Sequence, residues 1–262
     1  IMNYFIISGV ALAILFGILS QIDLRLLNIK DLNAPSSSSV VKFYDFFGAL
    51  LMNDYYHYTF EEIAMRNMIE HCDIHDHQNI LEIGPGSGFL AEQILQKYNV
   101  NYIGIDLSKT MSITSSKRLQ SYINNGSVEL YLVDNSLDFL ESWKKPVDRY
   151  IFTYILDLLP NHDIIQFSNI LSMKLKEHIN SKVCIVNLTY GFTSFSRILT
   201  NQWQLLYTTV GGSILGGCRP IEISNYFYSN NGFYMEYLGY TVSTGLPSEI
   251  AILTSNYNKI TE

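Results

Sequence analysis

The sequence predicts an α/β protein built on a doubly wound, mostly parallel sheet of seven strands, with an antiparallel hairpin last and additional helices at the N-terminus. Three observations support this class. Short apolar strands alternate with helical segments from residue 79 onward. A glycine-rich turn follows the first of these strands. Near the C-terminus, two strand-like segments are joined by a turn that contains glycine and proline, which is typical of a hairpin.

The composition indicates a globular protein. Of its 262 residues, 48% are hydrophobic and 16% are charged, which excludes a disordered or collagen-like chain. The formal net charge is −7 and the sequence contains no long basic run. This balance disfavours a nucleic-acid partner. The three cysteines are far apart in the sequence, which predicts reduced thiols and not a disulfide framework.

The first 22 residues predict a membrane anchor. They carry no charged side chain, and a helix of roughly 20 apolar residues spans the hydrocarbon layer of a bilayer. Arg25 and Lys30 follow this segment and no cation precedes it, so we expect the rest of the chain in the cytoplasm. A buried or interfacial helix is an alternative interpretation. A cleaved signal peptide is another, but it would need a basic residue before the apolar run and a small-residue cleavage site.

Residues 23–39 contain a run of serines after a proline and predict a linker. An N-terminal helical cap at 40–78 follows, because its aromatic and aliphatic residues recur at helical spacing. We assign residues 40–262 to one domain that includes this cap. Its strands are predicted at 79–83, 102–105, 128–133, 149–153, 182–188, 234–243 and 249–255, and the helices between them at 89–98, 109–122 and 164–175.

A glycine loop between the first strand and its helix is the strongest local signal. Gly84, Gly86 and Gly88 follow Glu82 closely. Glycines permit positive φ and let a ligand approach the backbone, and the helix N-terminus behind them favours negative charge. A dinucleotide fingerprint requires glycine where Phe89 stands, and the Lys-Ser/Thr pair of a phosphate loop is missing. The loop therefore favours a nucleoside with a short charged tail over a pyrophosphate.

Acidic residues end the next two strands. Asp106 ends the second strand, 22 residues after Gly84, where a carboxylate accepts hydrogen bonds from ribose hydroxyls. Asp134 ends the third strand, where it can contact the amino group of an adenine. We therefore expect Glu82, Asp106 and Asp134 at one edge of the sheet, in a site that suits a cationic ligand carrying a ribose.

The glycine loop, the acid after strand two and the aspartate after strand three resemble the class I S-adenosylmethionine-dependent methyltransferase family over about residues 40–255. The resemblance implies a Rossmann-like fold, S-adenosylmethionine as the cofactor and methyl transfer as the activity. In such proteins the glycine loop lines the methionine part of the cofactor, and the acid after strand two binds the ribose. By the same resemblance, the other cofactor contacts are Glu82, Leu107, Met111, Asp134, Asn135 and Thr153.

The cofactor of this family already carries an electrophilic methyl group, so the protein mainly holds the acceptor in line and excludes water. A general base is needed only for a hydroxyl, an ammonium or a weakly acidic carbon. The candidate catalytic residues are His57, His162 and Tyr154, which lies at the end of the fourth strand. For each histidine, a surface or capping role is the simpler interpretation. No metal is expected, because the cluster at residues 72–77 lacks a clear fourth ligand.

Residues 191–220 are longer than a plain connection and rich in aromatic residues and glycine. We expect a lid over the acceptor pocket, because long insertions in compact domains are usually functional. Arg219 would then be available to an anionic group; a structural insertion in which it pairs with Glu222 is an equal alternative. The candidate substrate contacts are Tyr58, Tyr154, Trp203 and Arg219.

Residues 153–160 lack the Asp/Asn-Pro-Pro-Tyr motif of nucleic-acid aminomethylases. Together with the predicted anchor and the aromatic helices, this favours a small lipophilic acceptor. The sequence thus predicts a membrane-associated methyltransferase for such an acceptor. Two alternatives stay open. One is a non-catalytic scaffold with the same fold; the other is an aminopropyltransferase-like enzyme, for which Asp157 alone is modest support.

Overall fold

The fold is a single seven-stranded sheet, described in a computed structural model that covers residues 34–228 and 232–256. The strands are β1 (Asn79–Ile83), β2 (Asn101–Asp106), β3 (Val128–Leu132), β4 (Arg149–Thr153), β5 (Lys182–Leu188), β6 (Phe233–Ser243) and β7 (Leu246–Ser255). Their order in the sheet is β3-β2-β1-β4-β5-β7-β6. The first five strands are parallel, and β7 pairs antiparallel with both β5 and β6. The predicted fold class is confirmed.

Helices lie on both faces of this sheet. They are α1 (Ser37–Leu51), α2 (Asp54–Tyr56), α3 (Glu62–His71), α4 (Phe89–Lys97), α5 (Lys109–Arg118), α6 (Gln120–Asn124), α7 (Ser136–Ser142), α8 (Asn161–Glu177) and α9 (Ser194–Val210). A π-helical segment, His57–Glu61, joins α2 to α3. Short 3-10 turns cover Leu156–Leu158 and Ile223–Asn225.

The sheet separates two apolar cores. Ile151 of β4 belongs to the core beneath α3 and α4, whereas its neighbours Tyr150 and Phe152 belong to the core beneath α7 and α8. This alternation follows from the two-residue period of a strand. Because both faces are covered, the central strands are apolar almost throughout, as parallel strands usually are.

Several boundaries differ from the sequence prediction, and three of the differences have a clear physical reason. The linker ends earlier, since α1 begins at Ser37 with Ser36 as its N-cap. The helix predicted at 109–122 breaks at Leu119 into α5 and α6. The last turn is only Thr244 and Gly245, both with positive φ, because this conformation matches the twist of the two strands.

The predicted anchor, residues 1–22, and most of the linker lie outside the described residues. Within residues 34–228 and 232–256, none of the helices combines the length and the apolar character that crossing a bilayer requires. The anchor and the membrane association stay predictions.

A disulfide joins Cys72, which follows α3, to Cys184 of β5. The expectation of reduced thiols is therefore wrong for these two cysteines and holds for Cys218, which is free. Helix α3 packs over β5, so the fold brings the pair together across a sequence separation of 112 residues. Spacing along the chain gives no sign of this contact.

Candidate functional site

A cavity of about 260 Å³ opens at the carboxyl ends of the strands and lies beneath the N-terminal helices. It lies where the strand order reverses between β1 and β4, the position at which open α/β sheets bind ligands. Its walls come from the glycine loop, the ends of β1, β2 and β4, the start of α8, and the cap formed by α1, the π-helical segment and α3. Most of this lining is apolar.

The glycine loop has the backbone conformation that its sequence predicts. Gly84, Gly86 and Gly88 all have positive φ. Gly84 and Gly86 line the cavity, and a Cβ atom on Gly86 would have no other atom within 4 Å, so a ligand can approach the backbone there. Gly88 is instead the N-cap of α4 and packs against Ser115. The structure thus places two of the three glycines at the ligand space.

Glu82 is buried at the end of β1 and orients the neighbouring strands' side chains. It accepts hydrogen bonds from the Tyr102 hydroxyl and from Oγ1 of Thr153, the latter at 2.7 Å. Burial raises the pKa of Glu82 to about 7, although these hydrogen bonds oppose the shift. Glu82 and Thr153 both line the cavity.

Asp106 connects the end of β2 to the glycine loop. Its Oδ1 accepts a hydrogen bond from the Ser108 backbone at 2.8 Å, and its Oδ2 accepts one from the Gly86 backbone at 3.3 Å. Burial raises the pKa of Asp106 to about 6. Leu107 and Met111 line the cavity as well. A carboxylate at the end of this strand can bind ribose hydroxyls.

Asp134 and Asn135 lie at the mouth of the cavity, and both are exposed. Oδ1 of Asn135 caps α7, because it accepts hydrogen bonds from the backbones of Leu137 and Asp138 at 2.9 and 3.4 Å. The structure therefore brings both residues to the site, but it gives the Asn135 carbonyl a structural role.

Tyr154 lies in the cavity wall in a strained conformation. Its φ is +51°, which is unusual for a bulky residue and typical of functional sites. Its hydroxyl forms a 2.7 Å hydrogen bond with Oγ of Ser248. Burial and the charge of Glu61 raise the pKa of Tyr154 well above its ordinary value. The phenol is thus neutral at physiological pH, and its geometry suits a shaping role better than that of a base.

His57 lies in the cavity wall and has two buried partners that the sequence analysis missed. Its Nδ1 is 2.7 Å from Oε2 of Glu61, and its Nε2 is 2.7 Å from Oγ of Ser87. The four-residue spacing of His57 and Glu61 is a helix-face pair and could have been noticed. No signal in the sequence connects His57 with Ser87, thirty residues away.

Four other candidates do not line the cavity. His162 is exposed on α8 and pairs with Asp163 at 2.9 Å. Tyr58 is exposed and touches Phe89 edge-on. The indole of Trp203 donates a hydrogen bond to the Cys218 carbonyl at 2.8 Å. Buried Arg219 donates to the carbonyl of Leu159 and to Oδ1 of Asn161, at 2.6 and 2.9 Å.

The insertion at residues 191–220 supports the cap and does not cover the cavity. No cavity-lining residue of the described chain comes from this range. Gly216 and Gly217 pack against Phe43 and Val40 of α1, so the insertion lies behind the cap. The structure therefore does not place this range over the cavity, where a lid was expected. In the part of the chain that the structure describes, no three His, Cys, Asp or Glu side chains are grouped to hold a metal ion.

Neither a family model nor a curated protein matches the sequence. Solved structures do match, over most of the chain. Mycolic acid cyclopropane synthase CmaA1, crystallised with S-adenosylhomocysteine and CTAB, is 14% identical over 85% of this chain and 99% of its own, with a TM-score of 0.63.

Two further structures are comparably similar. Magnesium protoporphyrin IX methyltransferase from Synechocystis, with bound S-adenosylhomocysteine, is 13% identical over 84% of this chain and 100% of its own, with a TM-score of 0.62. The cyclase SpnF is 11% identical over 85% of this chain and 98% of its own, also with a TM-score of 0.62. With the strand order and the closing hairpin, these matches show that the chain has the fold of the class I S-adenosylmethionine-dependent methyltransferases.

Proposed function

We propose that the chain binds S-adenosylmethionine and transfers its methyl group to a small lipophilic acceptor. The observation that carries the proposal is one cavity that joins the glycine loop and Asp106 to a large apolar space beneath the cap. When bound, the cofactor supplies a methyl group that is already electrophilic. Two of the similar structures hold S-adenosylhomocysteine, and one also holds the amphiphile CTAB.

The residues of one half of the cavity fit such a cofactor. The backbone at Gly84 and Gly86 would hold its methionine part, and Asp106 its ribose. Leu107 and Met111 would flank the adenine, and Asp134 and Asn135 would lie at its edge. Glu82 and Thr153 would contact the cofactor from the ends of β1 and β4.

The charges of the cavity fit the same ligand. Among the described residues, its lining includes several carboxylates but no Lys or Arg. Such a lining favours a positively charged sulfonium over a phosphate-bearing ligand. It also disfavours the anionic acceptor group that we expected at Arg219, since that residue lies outside the cavity.

The other half of the cavity is suited to an apolar acceptor. Val40 and Val41 of α1, Met65 of α3 and Phe167 of α8 contribute apolar walls. These side chains would exclude water and hold the acceptor close to the methyl group, which is the main catalytic task in this chemistry. The predicted anchor at residues 1–22 fits a lipophilic acceptor, because it would keep the domain at a membrane surface.

The two alternatives differ in their support. The scaffold alternative, in which the fold does not carry methyl transfer, has one observation beside it: the similar protein SpnF is named as a cyclase and not as a methyltransferase. The aminopropyltransferase alternative loses its support, because Asp157 is fully buried outside the cavity lining and accepts a hydrogen bond from the Leu188 backbone.

Two measurements test the proposal. Calorimetric titration with S-adenosylhomocysteine tests the cofactor site, and transfer of an isotope-labelled methyl group into a lipid extract tests the activity. Binding together with a labelled lipid product supports the proposal. Binding without a labelled product in lipid or aqueous extracts favours the scaffold alternative, and absence of binding contradicts both.

A further inference from the structure

We infer that His57, oriented by Glu61, is the general base that removes a proton from the acceptor. The inference rests on the proposed methyl transfer and narrows its acceptor to a molecule whose attacking group must lose a proton, such as a hydroxyl or an amine. An acceptor that is already deprotonated, such as a thiolate, would not need such a base.

The hydrogen bonds of His57 determine which nitrogen can act. A carboxylate can only accept, so the Nδ1 atom, 2.7 Å from Oε2 of Glu61, carries the hydrogen. In a neutral ring, Nε2 is then an acceptor, and it lies 2.7 Å from Oγ of Ser87. The three residues are 1–3% exposed. A buried carboxylate behind an imidazole is the arrangement that stabilises the protonated ring once it has taken a proton.

The backbone and the neighbouring ring hold His57 in place. The π-helical segment His57–Glu61 closes with a hydrogen bond from the Glu62 backbone to the His57 carbonyl. Such π-turns are rare in proteins, and those that occur are often found at functional sites. The imidazole also stacks on Phe89, with ring centroids 4.7 Å apart and an interplanar angle of 14°. Positioning by Glu61, Ser87 and Phe89 together limits the ring to one orientation, as a base requires.

His57 lies where the cap meets the glycine loop. Ser87 belongs to the glycine loop, and the charge of Glu61 acts on Tyr154 at the end of β4. All four residues line the cavity. An acceptor that enters beneath the cap can therefore replace the Ser87 hydroxyl at Nε2 while it faces the methyl group.

In the proposed step, a proton moves from the acceptor to His57 as the methyl group moves to the acceptor. The acceptor oxygen or nitrogen forms a bond to the methyl carbon, and the carbon–sulfur bond breaks with its electron pair left on sulfur. The acceptor's O–H or N–H bond breaks, its electron pair stays on the acceptor, and its proton goes to Nε2 of His57. Glu61 keeps accepting the hydrogen bond from Nδ1 and so stabilises the imidazolium.

Nitrogen-15 NMR of the imidazole of His57 tests this without turnover. With and without S-adenosylhomocysteine, we expect the neutral form of the ring to carry its hydrogen on Nδ1. Ser87→Ala should keep this tautomer, because Glu61 sets it, whereas Glu61→Gln should produce a mixture. A neutral ring with its hydrogen on Nε2 would overturn the inference even if the proposed function is correct.

Chemical rescue gives the second test. In His57→Ala, labelled methyl transfer into the lipid extract should fall about 100-fold, while the affinity for S-adenosylhomocysteine changes less than twofold. Added imidazole should restore part of the transfer. Unchanged transfer, lack of rescue, or an equal loss of cofactor affinity would contradict a base at this position. Covalent labelling of Ser87 by a fluorophosphonate would contradict it as well, because Ser87 would then be a nucleophile activated by His57.

Discussion

Oγ of Ser108 donates a hydrogen bond of 2.7 Å to Oδ1 of Asp45. Asp45, which belongs to α1, accepts two further hydrogen bonds from Thr110. The Thr110 backbone donates to Oδ1 of Asp45 at 3.1 Å, and the Thr110 hydroxyl donates to the Asp45 carbonyl at 2.8 Å. These contacts attach the cap helix to the start of α5, two residues beyond Asp106. The cover of the cavity therefore depends on a small polar contact beside the expected ribose site.

Asp45→Ala should release the cap without unfolding the sheet. Two side-chain hydrogen bonds are lost, each worth about 1 kcal/mol, so we expect faster proteolysis within α1 and faster dissociation of S-adenosylhomocysteine. Limited proteolysis and stopped-flow fluorescence measure these effects. Lys42→Ala, an exposed residue of the same helix, is the control. Equal behaviour of the two variants would show that the contact does not hold the cap.

Gly48→Ala should weaken ligand binding without lowering the stability of the fold. Alanine favours a helix over glycine by about 1 kcal/mol, so the free energy of unfolding should not fall. Its Cβ would lie 2.7 Å from Cε of Met111, which forces that side chain into the cavity. We expect a several-fold weaker affinity for S-adenosylhomocysteine by calorimetry. In the Met111→Ala background the effect of Gly48→Ala should vanish, and its persistence there would refute the steric explanation.

Glu82 should make the protein less stable as the pH rises. Burial raises its pKa from 4.5 to about 7 in the folded chain, so between these values the folded state binds more protons than the unfolded state. The free energy of unfolding then decreases with pH over this interval, by on the order of 3 kcal/mol at most from this residue.

Urea unfolding between pH 4.5 and 8 measures this slope. In Glu82→Gln the decrease should be smaller than in the wild type, whereas Glu129→Gln, at an exposed position, should leave it unchanged. An identical slope in Glu82→Gln would mean that Glu82 titrates normally.

Arg219 and Trp203 should matter for stability and not for ligand binding. Trp203→Phe removes one hydrogen bond, to the Cys218 carbonyl, and should cost about 1 kcal/mol. Arg219→Met removes two hydrogen bonds and should cost more. The affinities for S-adenosylhomocysteine and for CTAB should both stay within twofold. A selective loss of CTAB affinity would show instead that the insertion at residues 191–220 is part of the acceptor site.

Most of the sheet, and the position of the glycine loop and Asp106 at one cavity, could be predicted from sequence, because the signals are local. A strand, a glycine turn and a helix follow each other directly at residues 79–97, and Asp106 ends the next strand. The carboxyl ends of parallel strands lie at the same edge of a sheet, so this placement does not depend on the remaining segments of the chain.

The acceptor half depends on contacts between distant segments, which periodicity does not encode. His57 meets Ser87 only after the cap folds back over the glycine loop. Arg219 looked available because a loop arginine is usually exposed, but it is 4% exposed and holds the turn after β4. Cys72 and Cys184 likewise meet through packing of a helix on the sheet.

Calorimetric titration of the wild type, Asp106→Asn and the exposed control Asp138→Asn with S-adenosylhomocysteine tests the central claim most directly. We predict stoichiometric binding to the wild type, unchanged binding to Asp138→Asn and a loss of about 10- to 100-fold in Asp106→Asn, as for hydrogen bonds to a charged group. No binding to the wild type, or equal affinity in all three proteins, would contradict the assignment of this cavity to an adenosyl cofactor.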